Sequence, residues 1–218
     1  MRTHTIRRAA AVAITLTLAT SLAACGGDES GHDSHRGTAS DVSTASNGDV
    51  FNDADIEFAT HMIQHHAQAV QMVVMTQGRP LDPEVEQLAQ DIRAAQVPEI
   101  ETMTDWLTAW DQEIPETSMD HVNMGHSMGD MSGSMEGMEG MDDMLGAMTA
   151  EDMDALENAS DADFQDMWLA MMVEHHQGAV DMAQTEQDDG ANTDATTLAT
   201  TIIETQQVEI DTMEGLLG

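Results

Sequence analysis

The chain has 218 residues, with 41 acidic side chains against six arginines and no lysine, and a formal net charge of −35. Such a surface repels nucleic acid and anionic lipid headgroups and attracts cations, although acidity alone names no metal. A single cysteine excludes a disulfide framework and a thiolate metal site in the fold, and neither a Gly-rich phosphate loop nor a G-x-S-x-G turn is present.

The N-terminus reads as a targeting segment. Arg2, Arg7 and Arg8 form a basic region, and Ala9 to Thr20 is an apolar stretch too short to span a bilayer. Leu22-Ala23-Ala24-Cys25 then places small residues at a cleavage position, so residues 1–24 are expected to be a secretory signal. L-A-A-C resembles a bacterial lipobox. That implies lipidation of Cys25 and anchoring on the outer side of the cytoplasmic membrane. The mature chain keeps Arg36, Arg79 and Arg93 against all 41 acidic residues, about −38. Residues 25–50 are Gly, Ser, Thr, Asp and Asn with little apolar content and read as a flexible tether. His32 and His35 lie in it and are at most weak cation ligands.

A repeat organises the rest. Met62-Ile63-Gln64-His65-His66-Ala67-Gln68-Ala69-Val70-Gln71-Met72 returns 110 positions later as Met172-Val173-Glu174-His175-His176-Gln177-Gly178-Ala179-Val180-Asp181-Met182. At the same offset Gln96, Glu99 and Met103 meet Gln206, Glu209 and Met213. A unit duplicated in this way fixes the architecture.

The first helix is expected from Asn52 or Asp53, and Phe58, Met62, His65, Ala69 and Met72 share its apolar face. Gly78-Arg79-Pro80 ends it, and Asp82-Pro83 opens a second helix that Pro98 is expected to kink. Residues 51–112 thus read as one helical hairpin. Residues 113–148 change character: nine methionines stand among Gly, Ser, Asp and Glu between Met119 and Met148, a low-complexity linker with almost nothing to pack a core. Residues 149–218 read as a short helix after Thr149 and a second hairpin, capped near Ser160. Two hairpins with one apolar face each must pack together. The expected fold is all-α, an antiparallel four-helix bundle with a long Met-rich connection.

Neighbouring residues on a helix point about 100° apart. His65 and His175 therefore fall on the bundle face with Met72 and Met182, while His66 and His176 lean toward a neighbouring helix. His61 precedes His65 by one turn, like the helical half of a zinc site; the second repeat has Met171 there, so the halves are not equivalent. Buried polar pairs between these histidines and Gln96, Glu99, Gln206 or Glu209 would explain the repeat without a metal. The Glu-x-x-His motif of di-iron bundles is absent. The linker is the more specific signal. His121, Met124, His126, Met128 and Met131 place imidazole and thioether donors two to three residues apart, and soft thioethers suit Cu(I).

The double-histidine repeat, followed by Q-x-x-E-I-x-x-M, resembles the family called domain of unknown function 305. The resemblance covers about residues 51–218 and implies a ferritin-like four-helix bundle. Some secreted members are copper-binding resistance proteins, which implies candidate ligands at Met62, His65, His66 and Met72 and at Met172, His175, His176 and Met182. The expected function is a lipid-anchored, extracytoplasmic copper binder that sequesters or transfers Cu(I), with metal ions and the membrane as partners and no nucleic acid. A homo-oligomer or an envelope copper-handling partner is compatible with this. The alternatives are a non-catalytic envelope module whose repeated His and Glu are structural, and a metal-dependent oxidoreductase such as one oxidising Cu(I).

Overall fold

The computed structural model describes residues 41–117 and 144–218. The signal segment, Cys25, His32 and His35, and the linker donors His121, Met124, His126, Met128 and Met131, lie outside the described residues.

Helix α1 spans Asp53–Met75. The Asn52 side chain accepts the Asp55 N–H and the Asp55 carboxylate accepts the Asn52 N–H, a reciprocal cap. Helix α2 spans Pro83–Ala109 with proline at its first position, and it continues through Pro98. Helix α3, Ala150–Glu157, has the cap expected of Thr149 and Asp152. Helix α4 is Asp161–Asp189, and α5 is Thr193–Leu217 with Asn192 accepting two backbone N–H groups at its start. None of these helices is long and apolar enough to cross a membrane.

Helix α1 packs along α2, α4 along α5, and the hairpins join through α1 and α4. This is the four-helix bundle that the duplicated pattern requires. Two apolar clusters fill it. One gathers Phe58, Met62, Met103, Leu107, Ala183 and Ala199; the other gathers Met72, Ile92, Leu156, Phe164, Trp168 and Met213. Each draws on the opposite ends of antiparallel neighbours, and the histidines lie in the layer between. The Trp168 indole N–H donates to the Met72 carbonyl at 2.9 Å, which satisfies a polar atom inside the second cluster.

Two segments are more ordered than their composition suggests. In the expected tether, β1 (Ser43–Thr44) and β2 (Val50–Phe51) form an antiparallel hairpin. Phe51 stacks on Trp110 with ring centres 4.9 Å apart, and the Asn192 amide donates to the Val50 carbonyl. These partners come from distant parts of the chain, so local sequence could not supply them.

The end of the Met-rich linker is the second departure. Met148 is buried in the core, with backbone N–H and C=O both paired to the Gln68 amide at 2.7 and 2.8 Å. The repeat-equivalent of Gln68 is Gly178. A Cβ there would stand 2.0 Å from the Leu145 carbonyl oxygen, and one on Gly146 (φ 71°) would meet the Glu174 carbonyl at 2.7 Å. The two repeats thus hold the linker by different means: an amide pair on α1, and close backbone contact on α4. Gly178→Ala is expected to lift residues 144–148 off the bundle and destabilise the fold by about 1–3 kcal/mol. Urea unfolding and faster amide exchange at Met148 would register this, and unchanged protection there would contradict it.

Candidate functional site

His65, His66, His175 and His176 are all fully buried. The helical wheel holds: His65 and His175 meet at the centre, ring centres 3.7 Å apart and tilted by 34°. His66 Nε2 and Glu99 Oε2 are 2.7 Å apart, and His176 Nε2 and Glu209 Oε2 are 2.9 Å apart. Each outer histidine thus bonds the companion helix of its own hairpin. His65 Nε2 lies 3.2 Å from the Leu145 carbonyl and donates to it, so the linker's docked end covers the central pair. That bond places the His65 proton on Nε2 and leaves Nδ1 with a lone pair.

Several polar atoms in this layer have no hydrogen-bond partner: Nδ1 of all four histidines, Nε2 of His175, both amide atoms of Gln96 and Oε1 of Gln206. Unpartnered imidazole nitrogens are the donors a soft metal takes. Lone pairs lie in the ring planes, and the His65 and His175 rings, tilted by 34° with centres 3.7 Å apart, do not share a plane. Among the described residues no three His, Cys, Asp or Glu side chains come together as a metal-holding group. A metal held by the central pair would require the rings to turn.

The methionines expected beside the histidines separate into two kinds. Met62, Met72, Met103, Met172 and Met213 are fully buried core residues. Met182 is only partly buried. It lines a cavity of about 480 Å³ between α1 and α4 together with His61, Met144, Glu57, Glu186 and Asp189. His61 is about half exposed, its Nδ1 3.9 Å from Glu57 Oε1. The sequence reading named His61 and Met182 but missed Met144, Glu57, Glu186 and Asp189. The signal for Glu186 was available in the repeat, where Thr76 holds the equivalent position.

Burial holds His65 far below the ordinary imidazole value, reinforced by the nearby His66 and His176 and opposed by the Leu145 carbonyl. Burial does the same to His175, with His65, His176 and His66 adding to it. Both rings are neutral in the folded protein. Glu186 behaves oppositely. It is 1 % exposed, and its carboxyl is paired with that of Asp55. Burial, then the neighbouring Asp55 carboxyl and the charge of Asp189, push it up to about 9. Asp55 itself accepts the N–H groups of Asn52, Ala191 and Asn192. A proton on Glu186 supplies the donor this carboxyl pair otherwise lacks.

Two pH dependences follow. Below the unfolded histidine value of about 6.5, the unfolded chain binds protons that folded His65 and His175 refuse. Stability from these groups is therefore whole above that pH and falls as pH drops. His175→Asn should flatten the slope of unfolding free energy between pH 6.5 and 5 by about 1.4 kcal/mol per pH unit, read from urea melts at stepped pH. An unchanged slope would mean that the folded ring titrates normally. For Glu186 the folded value is raised, so its cost is absent below about 4.5 and grows as pH rises toward about 9. Glu186→Gln should stabilise the metal-free protein at pH 7 by roughly 1–3 kcal/mol and leave it unchanged at about pH 4. Equal melting curves for the two proteins at pH 7 would contradict this.

Comparison with known proteins follows the same residues. Residues 55–217 match the family model described as domain of unknown function (DUF305). No curated protein matches the chain. Among solved structures, a DUF305 fragment from Deinococcus radiodurans is 29% identical, with a TM-score of 0.61 over 81% of this chain and 99% of that one. A candidate secreted DUF305 protein from Streptomyces coelicolor is 31% identical, with a TM-score of 0.60 over 75% of this chain and 91% of that one. CopM in its Cu(II)-bound form is 28% identical, with a TM-score of 0.56 over 75% of this chain and 95% of that one. The match takes in both histidine pairs and all four bundle helices, and the chain belongs to the DUF305 family.

Proposed function

We propose that this protein binds copper as Cu(I) on the outer side of the cytoplasmic membrane, anchored through a lipid on Cys25, and stores the ion or passes it on. The observation that carries the reading is the docking of the Met-rich linker. Its last residues lie on the bundle at Gln68, Gly178 and His65. A run of thioether donors therefore ends beside the one region of the bundle rich in buried imidazole. Thioether and neutral imidazole together favour a soft monovalent ion over Mg²⁺ or Ca²⁺. The strongly acidic surface concentrates cations nearby. CopM, a structural relative, has been solved in Cu(II)-bound, Cu(I)-bound and Ag-bound forms, and the Streptomyces relative supports a location outside the cytoplasm.

A division of labour fits this reading. His121, Met124, His126, Met128 and Met131 collect the ion; His61, Met182 and the lone pairs of His65 and His175 are the bundle's candidate donors. Fully buried Met62, Met72 and Met172 support the fold around them. The His66–Glu99 and His176–Glu209 bonds favour a second reading for those four residues, as polar pairs that set the register of each hairpin.

The test is anaerobic titration of the chain from residue 26 onward with Cu(I) against a chromogenic chelator. At least one equivalent should be withdrawn from the chelator, and replacing Met124, Met128 and Met131 by Leu should lower the number bound. No uptake of Cu(I) or Cu(II) would overturn the copper reading. For the anchor, Cys25→Ser should move the protein from the membrane fraction to the soluble one.

A further inference from the structure

The central pair, His65 and His175, is enclosed on every side, but not by equal means. Toward α2 and α5 the outer histidines are tied to Glu99 and Glu209. Along the bundle the two apolar clusters close the layer from above and below. Across the groove between α1 and α4 the cover is a short stretch without helix, residues 144–148. It meets α1 at His65 and Gln68, and α4 at Glu174 and Gly178.

This strap is held mainly by its backbone. The Leu145 carbonyl accepts from His65 Nε2 at 3.2 Å, and the Met148 N–H and C=O pair with the Gln68 amide. Gly146, at φ 71°, lies against the backbone of Glu174 and Gly178 in a space that a Cβ on either glycine would fill. A glycine inside a helix, as Gly178 is, weakens that helix and is used where another backbone must approach closely. Of the strap's side chains only that of Met148 is buried, and Leu145 is 55% exposed. A segment with so few buried apolar contacts opens well before the helices part.

The far end of the same groove shows what a permanent closure looks like. Phe164, Trp168 and Met72 are fully buried there. Arg79 donates to the Ala159 and Glu157 carbonyls and lies over the Phe164 ring at 4.4 Å. At the opposite end Ala54 and Asp189 hold the positions of Phe164 and Arg79, and the groove is left as the cavity of about 480 Å³. That cavity is open to solvent, since Glu57 and His61 in its lining are 72% and 45% exposed. The strap contributes Met144 and Leu145 to the same lining. Leu145 therefore stands between two spaces: it lines the open cavity, and its carbonyl holds the buried ring of His65.

We propose that residues 144–148 are a gate between this solvent-open cavity and the buried His65–His175 pair. The gate opens by breaking the His65–Leu145 and Gln68–Met148 bonds while the four helices stay packed, and it admits a small solute to the imidazole nitrogens. It is a property of the fold and holds whichever ion the protein carries.

Diethyl pyrocarbonate is the probe, because it attacks unprotonated imidazole nitrogen and both central rings are neutral. The chain from residue 26 onward is treated at pH 7, and initial rates are read at each histidine by fragment mass spectrometry. His61, half-exposed, reacts at once and calibrates the reagent. In the wild type His65 and His175 should react faster than His66 and His176. Below the unfolding transition their rates should stay flat as urea is added, because a local opening exposes little surface. Exchange of the Met148 amide should be equally flat. Gln68→Leu removes both bonds to Met148 at similar volume and should speed the reaction of His65 and His175 by at least about tenfold; Gly178→Ala should act in the same direction. If all four buried histidines react together, at a rate that climbs with urea in step with global unfolding, the strap is a fixed seal and the gate is overturned. The wild-type urea series decides this even where a variant folds poorly. Copper uptake is measured separately, so failure of the gate leaves the copper reading intact, and failure of the copper reading leaves the gate.

Discussion

Burying four imidazoles in the middle of a four-helix bundle sets the terms for everything around them. A neutral ring still needs a partner for its N–H, and the bundle offers few. His66 and His176 obtain theirs from Glu99 and Glu209 on the companion helices. His65 obtains its from a backbone carbonyl that belongs to neither helical hairpin, that of Leu145. The polar layer therefore ties each hairpin internally and then ties the linker to the bundle. The apolar clusters above and below carry most of the burial. This layer decides how the pieces are aligned.

Duplication gives the protein near-symmetry, and the two halves differ in how they hold the linker and fill the groove between α1 and α4. Gln68 and Gly178 occupy the same place in the two repeats, yet one grips the linker by its amide and the other by having no side chain. Phe164 and Ala54 are likewise equivalent, and the loss of one aromatic ring is part of what opens the groove. Arg79 and Asp189 reverse the charge at its mouth. Each change is small and local. Together they make one end of the bundle a packed core and leave at the other a cavity where His61, Glu57 and Asp189 stand among apolar side chains such as Phe58 and Leu145.

The two kinds of methionine illustrate a general difficulty. A thioether is both a soft donor and an adaptable core filler. Met62 and Met182 both flank a double histidine, one turn before it and about two turns after it. One is wholly inside an apolar cluster; the other lines a cavity beside an imidazole. Spacing could not separate them, because both roles ask for the same face of the helix.

Much of this was legible from residues alone. The 110-residue offset gave four helices and their pairing. Asn52, Thr149 and Pro83 marked helix starts within a residue, because capping is a local matter. The wheel placed His65 and His175 inward and His66 and His176 toward a neighbouring helix, because a helix fixes direction from one residue to the next. What the chain by itself could not decide was whatever depended on contact between distant segments. The stacking of Phe51 on Trp110, the seating of Leu145 on His65 and the gathering of Met144, His61, Met182 and Glu186 around one space all join residues tens of positions apart. Local sequence set which way each side chain points; only the packing of helix on helix decided what it points at.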